Sequence, residues 1–200
     1  PILMKKAKGL NYITYGEGDS LYINGKVVTC TPFLSLVWKS GKNGETHHID
    51  TRLIGEYNLA NVLAAIAIGK FFGIKADNVD KGISEYTPQN SRSQLKDTEK
   101  NHLIVDAYNA NPTSMMAALE NFCKMDVPRK VLLLGDMKEL GKNSRDEHQL
   151  ITDYINKEKG AFDKVILVGS EFAETKRNDF MVLPDAKAVA DYLQKEELTG

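Results

Sequence analysis

The chain has 200 residues, of which 42% are hydrophobic and 26% are charged. These fractions are typical of globular domains and exclude a disordered or low-complexity chain. Its 26 basic and 27 acidic side chains give a formal charge of −1, which excludes a long-range attraction to nucleic acid or to an anionic membrane.

The first part of the chain predicts antiparallel β structure. Short runs rich in Ile, Val, Thr and Tyr alternate with turn signals, and we expect strands over 10–15, 20–23, 26–32, 34–39 and 46–53. Asn24 and Gly25 stand between two of these runs. Because both residue types accept positive φ, they predict a two-residue hairpin turn.

Two helices are predicted next. Apolar residues recur at helical spacing from Leu59 to Phe71, and Gly73 ends this helix. A second helix is predicted over 78–86, with Asp77 as its N-cap. The Pro- and Asn-containing stretch that follows has the composition of a linker. We therefore predict two domains, 1–88 and 89–200.

From residue 101 the sequence alternates strands and helices, which is typical of an α/β domain. Strands are predicted over 103–105, 130–134, 164–168 and 180–183. Their nearly continuous apolar character indicates a parallel sheet covered on both faces. The helices between them are expected to begin at Pro112, at Ser144, near Glu171 and after Asp185. Glu147, three residues after Ser144, predicts a capping box for the second of these helices.

Polar side chains follow three of these predicted strands. Since ligands of open parallel sheets bind beyond the carboxyl ends of the strands, we expect Asp106, Asn109, Asn111, Asp136 and Glu139 to form one rim. Each residue alone is explained more simply as a turn former or a helix cap. The amide-rich run from 106 to 112 exceeds what a turn requires, and it favours ligand binding.

Three further side chains are candidates for nucleotide recognition. Asn58 and Asn61 lie one helical turn apart and point the same way, and paired amides suit the edge of a purine base. N-capping explains one of these amides but not both. Arg92 follows the linker, where a guanidinium is able to bind a phosphate with two hydrogen bonds, although most arginines are simply solvated.

Other chemistries find little support in the sequence. Motifs of P-loop, dinucleotide-binding, serine hydrolase and zinc protease sites are absent. His47 and His48 are adjacent in a strand, so they face opposite sides and do not share a metal ion. His148 is either a cation ligand with Asp136 and Glu147 or, more commonly for such a residue, a helix-surface side chain.

The two cysteines, Cys30 and Cys123, are too few for a disulfide framework and predict reduced thiols in the cytoplasm. No apolar stretch is long enough to span a membrane. Nothing in the sequence indicates an extended interface, so a monomer is expected.

Four segments together resemble the Mur ligase family. Residues 55–61 (GEYNLAN) are similar to the helix that closes the ATPase domain of these enzymes. Residues 91–94 (SRSQ) with 106–112 (DAYNANP), and residues 134–141 (LGDMKELG), are similar to one branch of the family. That branch joins D-alanyl-D-alanine to a UDP-N-acetylmuramoyl-tripeptide in peptidoglycan synthesis.

The resemblance implies a nucleotide-binding role for four residues. Asn58 and Asn61 are similar to the amides that hold adenine. Arg92 resembles an arginine that meets the phosphates of ATP, and Asp106 resembles the carboxylate that accepts hydrogen bonds from the ribose hydroxyls. Tyr57 stands where many relatives have His, and either ring is able to stack on a base.

The resemblance also implies a substrate loop, a fold and a reaction. Asn109 and Asn111 look like the loop that meets the peptide substrate and its amine partner. Residues 1–88 would be the β-rich and helical end of the central ATPase domain, and 89–200 a Rossmann-like, mostly parallel C-terminal domain. ATP would activate the terminal carboxylate of the tripeptide as an acyl phosphate, which the amine of D-alanyl-D-alanine attacks.

The glycine-rich phosphate loop, the Mg²⁺ ligands and the UDP-sugar domain of the family all lie upstream of the region matched here. We therefore expect the chain to be about the second half of an ATP- and Mg²⁺-dependent ligase, without metal ligands or catalytic residues of its own and inactive when isolated.

Two other interpretations remain open at this point. A sibling ligase that adds a different amino acid, or a folylpolyglutamate-type enzyme, would share the nucleotide residues. A non-catalytic α/β binding module would share the fold alone.

Overall fold

A computed structural model describes residues 9–89, 91–158, 160–196 and 198. The chain divides into two compact units, an N-terminal unit of Pro1–Pro88 and a C-terminal unit of Gln89–Gly200. The division falls within the linker-like stretch, in which Asn90 lies outside the described residues.

The N-terminal unit contains a four-stranded sheet in the order β1-β2-β3-β4. Its strands are β1 (Tyr15–Gly16), β2 (Ile23–Cys30), β3 (Phe33–Ser40) and β4 (Thr46–Ile54). The pairs β2–β3 and β3–β4 are antiparallel, which confirms the predicted antiparallel character of the main strands. The prediction fails for the first strand, since of 10–15 only Tyr15 lies in β1, and β1 pairs with β2 in parallel.

The predicted hairpin turn at Asn24-Gly25 is wrong. Both residues lie inside β2, where Asn24 pairs with Lys39 and Gly25 with Trp38. A Cβ on Gly25 would lie 2.5 Å from Leu63 Cδ2. Glycine therefore serves close packing of a helix on the sheet at this position, and not a positive φ. The chain turns instead between Cys30 and Phe33.

Replacing Gly25 with Ala is expected to destabilise the N-terminal unit by about 1–3 kcal/mol, because an added methyl in a packed core displaces its neighbours. The new Cβ would meet Leu63 Cδ2 at 2.5 Å and the carbonyl oxygen of Val37 at 3.0 Å. Urea unfolding followed by the fluorescence of Trp38 measures the effect. Gly82→Ala, at a helical position with nothing within 4 Å, is the control and is expected to be neutral or stabilising.

Two helices cover this sheet: α1 (Asn58–Phe71) and α2 (Ala76–Glu85). Helix α1 ends as predicted, with Gly73 at φ +75. Its buried side chains, together with Trp38 and other residues of the sheet, form the core of this unit. The predicted cap of α2 is wrong, because Lys75 occupies the N-cap position with an extended backbone. Asp77 lies in the first turn instead.

The C-terminal unit contains two separate sheets. One is an antiparallel pair of β5 (Gln94–Asp97) and β6 (His102–Val105), and the other is the parallel sheet β7-β8-β9, formed by Val131–Gly135, Lys164–Val168 and Met181–Leu183. The parallel sheet confirms the predicted α/β class. The placement of 103–105 in that sheet is wrong, since among the described residues β6 pairs with β5 alone.

The helices of the C-terminal unit are α3 (Pro112–Lys124), α4 (Ser144–Lys157), α5 (Ser170–Ala173) and α6 (Ala186–Lys195). They begin at or next to the predicted positions. The side chain of Asp185 accepts a hydrogen bond from the Ala188 N–H at 2.8 Å and caps α6 as expected. Leu119, Ile151, Leu167 and Phe172 are among the buried residues that pack between these helices and the parallel sheet.

Neither Cys30 nor Cys123 forms a disulfide bond. Burial raises the pKa of the Cys123 thiol, whose neighbour Tyr154 also has a pKa raised by burial and by their hydrogen bond. A raised pKa keeps the thiol protonated and therefore weakly nucleophilic. Across the described ranges, every helix is too short or too polar to cross a membrane.

Candidate functional site

The two predicted adenine-binding amides are joined by a hydrogen bond. Asn58 begins α1 and is 8% exposed, and its Nδ2 donates to the Ile54 carbonyl at 2.8 Å. Its Oδ1 accepts from Asn61 Nδ2 at 3.1 Å. Asn61 is exposed. Asn58 is therefore placed to orient Asn61, and it is Asn61 that presents an amide to solvent.

Tyr57 lies immediately before these amides and is 37% exposed. Its ring rests against the backbone of Gly55, which has φ +97 and where any Cβ would overlap the ring. The glycine therefore serves both a left-handed conformation and a close approach. An exposed aromatic ring and an exposed amide thus stand side by side at the start of α1.

Arg92 and Asp106 belong to segments that are joined by three contacts. The Ala107 N–H donates to the Ser91 carbonyl at 2.8 Å, and Ser93 Oγ donates to Asp106 Oδ2 at 3.2 Å. Between these bonds, the Arg92 guanidinium lies 3.8 Å from the centroid of the Tyr108 ring. We call this arrangement the 91–108 junction. It holds an exposed cation and an exposed carboxylate on neighbouring segments.

The backbone of the 91–108 junction is unusual. Ser91 has φ 57 and Ser93 has φ 47, so two non-glycine residues in the left-handed region flank Arg92. This conformation costs about 1 kcal/mol or more for each such residue, and such outliers cluster at functional sites. The buried Oε1 of Gln94 lacks a hydrogen-bond partner among the described residues. A strained backbone thus flanks Arg92, and an unsatisfied acceptor lies two residues after it in the sequence.

The two predicted substrate-loop amides differ in their contacts. Asn111 is the N-cap of α3: its Oδ1 accepts from the Ser114 N–H at 3.0 Å, and Ser114 Oγ in turn accepts from the Asn111 N–H at 3.3 Å. The capping explanation of Asn111 therefore accounts for its Oδ1. Asn109 is exposed and has no hydrogen bond or ion pair with any described residue.

Asp136, a predicted member of the same rim, is a buried structural residue. Its side chain is 3% exposed, and it accepts hydrogen bonds from the Glu171 and Phe172 N–H groups at 3.1 and 3.0 Å. Gly169 makes this possible, because a Cβ there would overlap the carboxylate. The prediction that Asp106 and Asp136 follow adjacent strands of one parallel sheet is wrong, since their strands lie in different sheets.

His148 is fully buried, so the prediction that it lies on the helix surface is wrong. Its Nε2 accepts from the Met137 N–H at 3.0 Å, and its Nδ1 lies 2.7 Å from the Ser144 carbonyl. A backbone N–H only donates and a carbonyl only accepts, so this pattern assigns the neutral tautomer with hydrogen on Nδ1. With Nε2 so occupied, His148 is not available as a cation ligand.

The capping box predicted for Ser144 and Glu147 is also absent from α4. Ser144 is the first helical residue rather than the cap, and its hydroxyl donates to Glu171 Oε2 at 2.6 Å. Ser144 therefore ties the start of α4 to α5. Asp136 and Met137 of the motif LGDMKELG, with Ser144, His148 and Glu171, form a structural hydrogen-bond network around the buried His148 ring.

A model of the family described as "Mur ligase, glutamate ligase domain" matches residues 91–196, which is more than half of the chain. The chain belongs to the Mur ligase family. The match covers the 91–108 junction, the cap of α3 and the Asp136–His148 network.

Individual Mur ligases extend the similarity to the N-terminal unit. The UDP-N-acetylmuramoyl-tripeptide–D-alanyl-D-alanine ligase of Bacillus subtilis is 34% identical over 151 residues, which are 73% of this chain and 32% of the relative. The UDP-N-acetylmuramate–L-alanine ligase of Acetivibrio thermocellus is 28% identical over 169 residues, covering 79% of this chain and 36% of the relative. The chain spans about a third of the length of these curated relatives.

The fold of the chain is that of solved Mur ligases. A crystal structure of the MurF ligase from Thermotoga maritima in complex with ADP superposes with a TM-score of 0.79 at 18% identity, covering 100% of this chain and 46% of that one. The α/β architecture predicted from the sequence is therefore confirmed.

Two residues of the 91–108 junction are not among those that the sequence predicts to act. Ser93 and Tyr108 lie inside the segments that the sequence singles out. Their roles become visible only in the contacts between those segments, where Ser93 bonds Asp106 and Tyr108 stacks on Arg92. Tyr108 is two positions after Asp106, and Ser93 is next to Arg92. That adjacency is the only signal in the sequence that could point to them.

Proposed function

We propose that the chain is part of an ATP-dependent ligase that adds D-alanyl-D-alanine to UDP-N-acetylmuramoyl-tripeptide in cytoplasmic peptidoglycan synthesis. The observation that carries the proposal is the 91–108 junction. A guanidinium and a carboxylate, both exposed and both held by neighbouring side chains, suit a phosphate and a sugar hydroxyl respectively.

The residues present fit part of an ATP site. Arg92 would bind phosphate oxygens, and Asp106 would accept hydrogen bonds from the ribose hydroxyls, since Ser93 occupies only one of its lone-pair sites. Asn61 would contact adenine, oriented by Asn58. Other parts of the ligase would supply the Mg²⁺ ligands, and this chain would contribute none to the ATP site.

ATP would supply the activation of a carboxylate by phosphoryl transfer. The residues of this chain would bind and orient and would not form covalent bonds, because phosphoryl transfer depends mainly on positioning and on neutralising charge. Tyr108 would restrict the motion of the Arg92 guanidinium by stacking on it. Asn109 and the free Nδ2 of Asn111 would contact the peptide substrate or its amine partner.

Asp106→Ala is expected to raise the KM for ATP about 10- to 100-fold, since hydrogen bonds to a charged group contribute about 1.5–3 kcal/mol. The measurement is phosphate release that depends on both ATP and D-alanyl-D-alanine, in a ligase that contains this chain. The isolated chain is expected to release none.

Thermal stability separates binding from folding in this experiment. Asp106 is exposed, and its side chain forms a hydrogen bond with Ser93 alone among the described residues, so the variant is expected to keep its Tm within a few degrees. Asp126→Ala, at another exposed aspartate, is the matched control and should leave both KM and Tm unchanged. A large loss of Tm in Asp106→Ala, with an unchanged KM for ATP, would contradict the nucleotide role.

The similarity to the L-alanine ligase keeps a sibling activity as a second candidate. Both ligases would use the same nucleotide residues, so the carboxylate substrate and the amine substrate separate them. Assays with UDP-N-acetylmuramate plus L-alanine, and with UDP-N-acetylmuramoyl-tripeptide plus D-alanyl-D-alanine, give the answer directly. Release of phosphate with L-alanine alone would replace the proposed substrate while leaving the role of the 91–108 junction intact.

A further inference from the structure

Three potential metal ligands lie together where α2 packs against β4 in the N-terminal unit. His47 belongs to β4, and Asp77 and Asp80 are three residues apart on α2, so their side chains lie on one face of the helix. One ligand atom from each residue lies within 4.8 Å of the other two. We propose that these residues form a site for a divalent transition-metal ion such as Zn²⁺.

Two of the three ligands are already held in position by Trp38. The Trp38 ring is 1% exposed and stacks on the His47 ring with a centroid distance of 4.6 Å. Its Nε1 donates to Asp80 Oδ1 at 2.7 Å, which leaves Oδ2 directed at His47 Nδ1, 2.8 Å away. Outer hydrogen bonds and stacking of this kind fix the orientation of metal ligands and raise the affinity of a site.

The charge of the cluster favours a cation. Asp77 has no hydrogen bond or ion pair with any described residue, although it lies beside the carboxylate of Asp80. With a neutral imidazole, the three side chains carry two negative charges, which a divalent ion would neutralise. The site is thus mixed in chemistry, with one nitrogen and two oxygen ligands.

This ligand set selects among metals. Imidazole nitrogen suits Zn²⁺ and its first-row neighbours, whereas Mg²⁺ and Ca²⁺ prefer oxygen ligands alone. Tetrahedral Zn²⁺, with bonds of about 2.0–2.2 Å, places its ligands roughly 3.3 Å apart. The pair His47–Asp80 is already near that spacing, and Asp77 reaches it by a rotation of an exposed side chain.

The proton balance of binding is simple. The ion takes the place of the hydrogen that His47 Nδ1 shares with Asp80 Oδ2, and the neutral imidazole then carries its hydrogen on Nε2. One proton is released only when His47 starts as the imidazolium. Three protein ligands leave the fourth position to water.

Fluorescence gives a direct test, because Trp38 is the only tryptophan of the chain and contacts two of the three ligands. Titration of the full chain with ZnCl₂ is expected to change the Trp38 emission with a stoichiometry of one, confirmed by calorimetry. Asp77→Asn leaves the Trp38, His47 and Asp80 contacts intact and is expected to weaken Zn²⁺ binding at least tenfold.

His102 provides the matched control. It also lies close to a carboxylate, with Nδ1 at 2.6 Å from Asp97 Oδ1, but the pair is exposed and no third ligand among the described residues joins it. His102→Gln should bind Zn²⁺ as the wild type does. Equal Zn²⁺ affinity in Asp77→Asn, loss of binding in His102→Gln, or binding of Mg²⁺ as tight as that of Zn²⁺ would each overturn the proposal. None of these outcomes depends on the ligase activity.

Discussion

Gly169→Ala is expected to lower the stability of the C-terminal unit by about 3–5 kcal/mol, because it combines backbone strain with the loss of charge-assisted hydrogen bonds. Gly169 has φ +118, a conformation that L-residues rarely adopt. The methyl group would overlap the Asp136 carboxylate, which is buried and cannot move aside without leaving the Glu171 and Phe172 N–H groups unpaired. Two separate penalties therefore act at one position.

Two glycines of the same unit separate these penalties. Gly141 has φ +57, but a methyl group added there would meet no atom within 4 Å, so Gly141→Ala tests strain alone and is expected to destabilise by about 1 kcal/mol. Gly135 has neither feature, and Gly135→Ala is expected to have little effect.

Hydrogen exchange of the β8 amides is the suitable measurement, since it reports on the C-terminal unit independently of the N-terminal one. If Gly169→Ala loses no more protection than Gly141→Ala, the close approach of Asp136 does not govern this turn.

The sequence predicts best those features that depend only on neighbouring residues. Asp185 caps α6 and Asn111 caps α3 because each side chain bonds an N–H three residues away. Gly73 ends α1 because the turn after the helix requires a left-handed backbone, which glycine adopts without strain. These causes are contained within one turn of the chain and are visible in the sequence.

The predictions that failed concern residues whose role depends on a distant partner. Glycine is needed at position 25 because the Leu63 side chain of α1 packs against it and leaves no room for a Cβ. Strand β6 lies outside the parallel sheet predicted for it, because it pairs with Gln94 and its neighbours in β5. His148 is buried, and its hydrogen-bond partner, the Met137 N–H, lies 11 residues earlier in the chain. A single sequence without tertiary information does not specify such contacts.

In the candidate site, too, the sequence identifies the segments but not the contacts that their residues make. The motif DAYNANP marks the right segment, and its residues Asp106 and Tyr108 do meet Ser93 and Arg92. The motif LGDMKELG marks another important segment, but its aspartate bonds two backbone N–H groups rather than facing solvent. Spacing alone does not distinguish an acidic residue that binds a ligand from one that caps a buried helix.

His148→Leu is expected to destabilise the C-terminal unit by about 2–4 kcal/mol, because it leaves the buried Met137 N–H without an acceptor and removes the imidazole bond to the Ser144 carbonyl. The Met137 N–H loses its acceptor. The Ser144 carbonyl loses the bond from the imidazole but keeps its helical bond from the residue-148 N–H, and leucine keeps most of the buried volume. The edge-to-face contact of the His148 ring with Phe172, at 4.6 Å between centroids, is also lost. The loss is therefore mainly one of hydrogen bonding and not of packing.

Ser144→Ala distinguishes this network from the rest of α4. It removes the hydroxyl bond to Glu171 but keeps the carbonyl that His148 uses, so a loss of about 1 kcal/mol is expected. His102→Gln, at an exposed histidine, should have no effect on the exchange rates of β7 and β8. If His148→Leu proves as mild as Ser144→Ala, then the Met137 N–H finds another acceptor, and the network is not what holds the loop after β7 against α4.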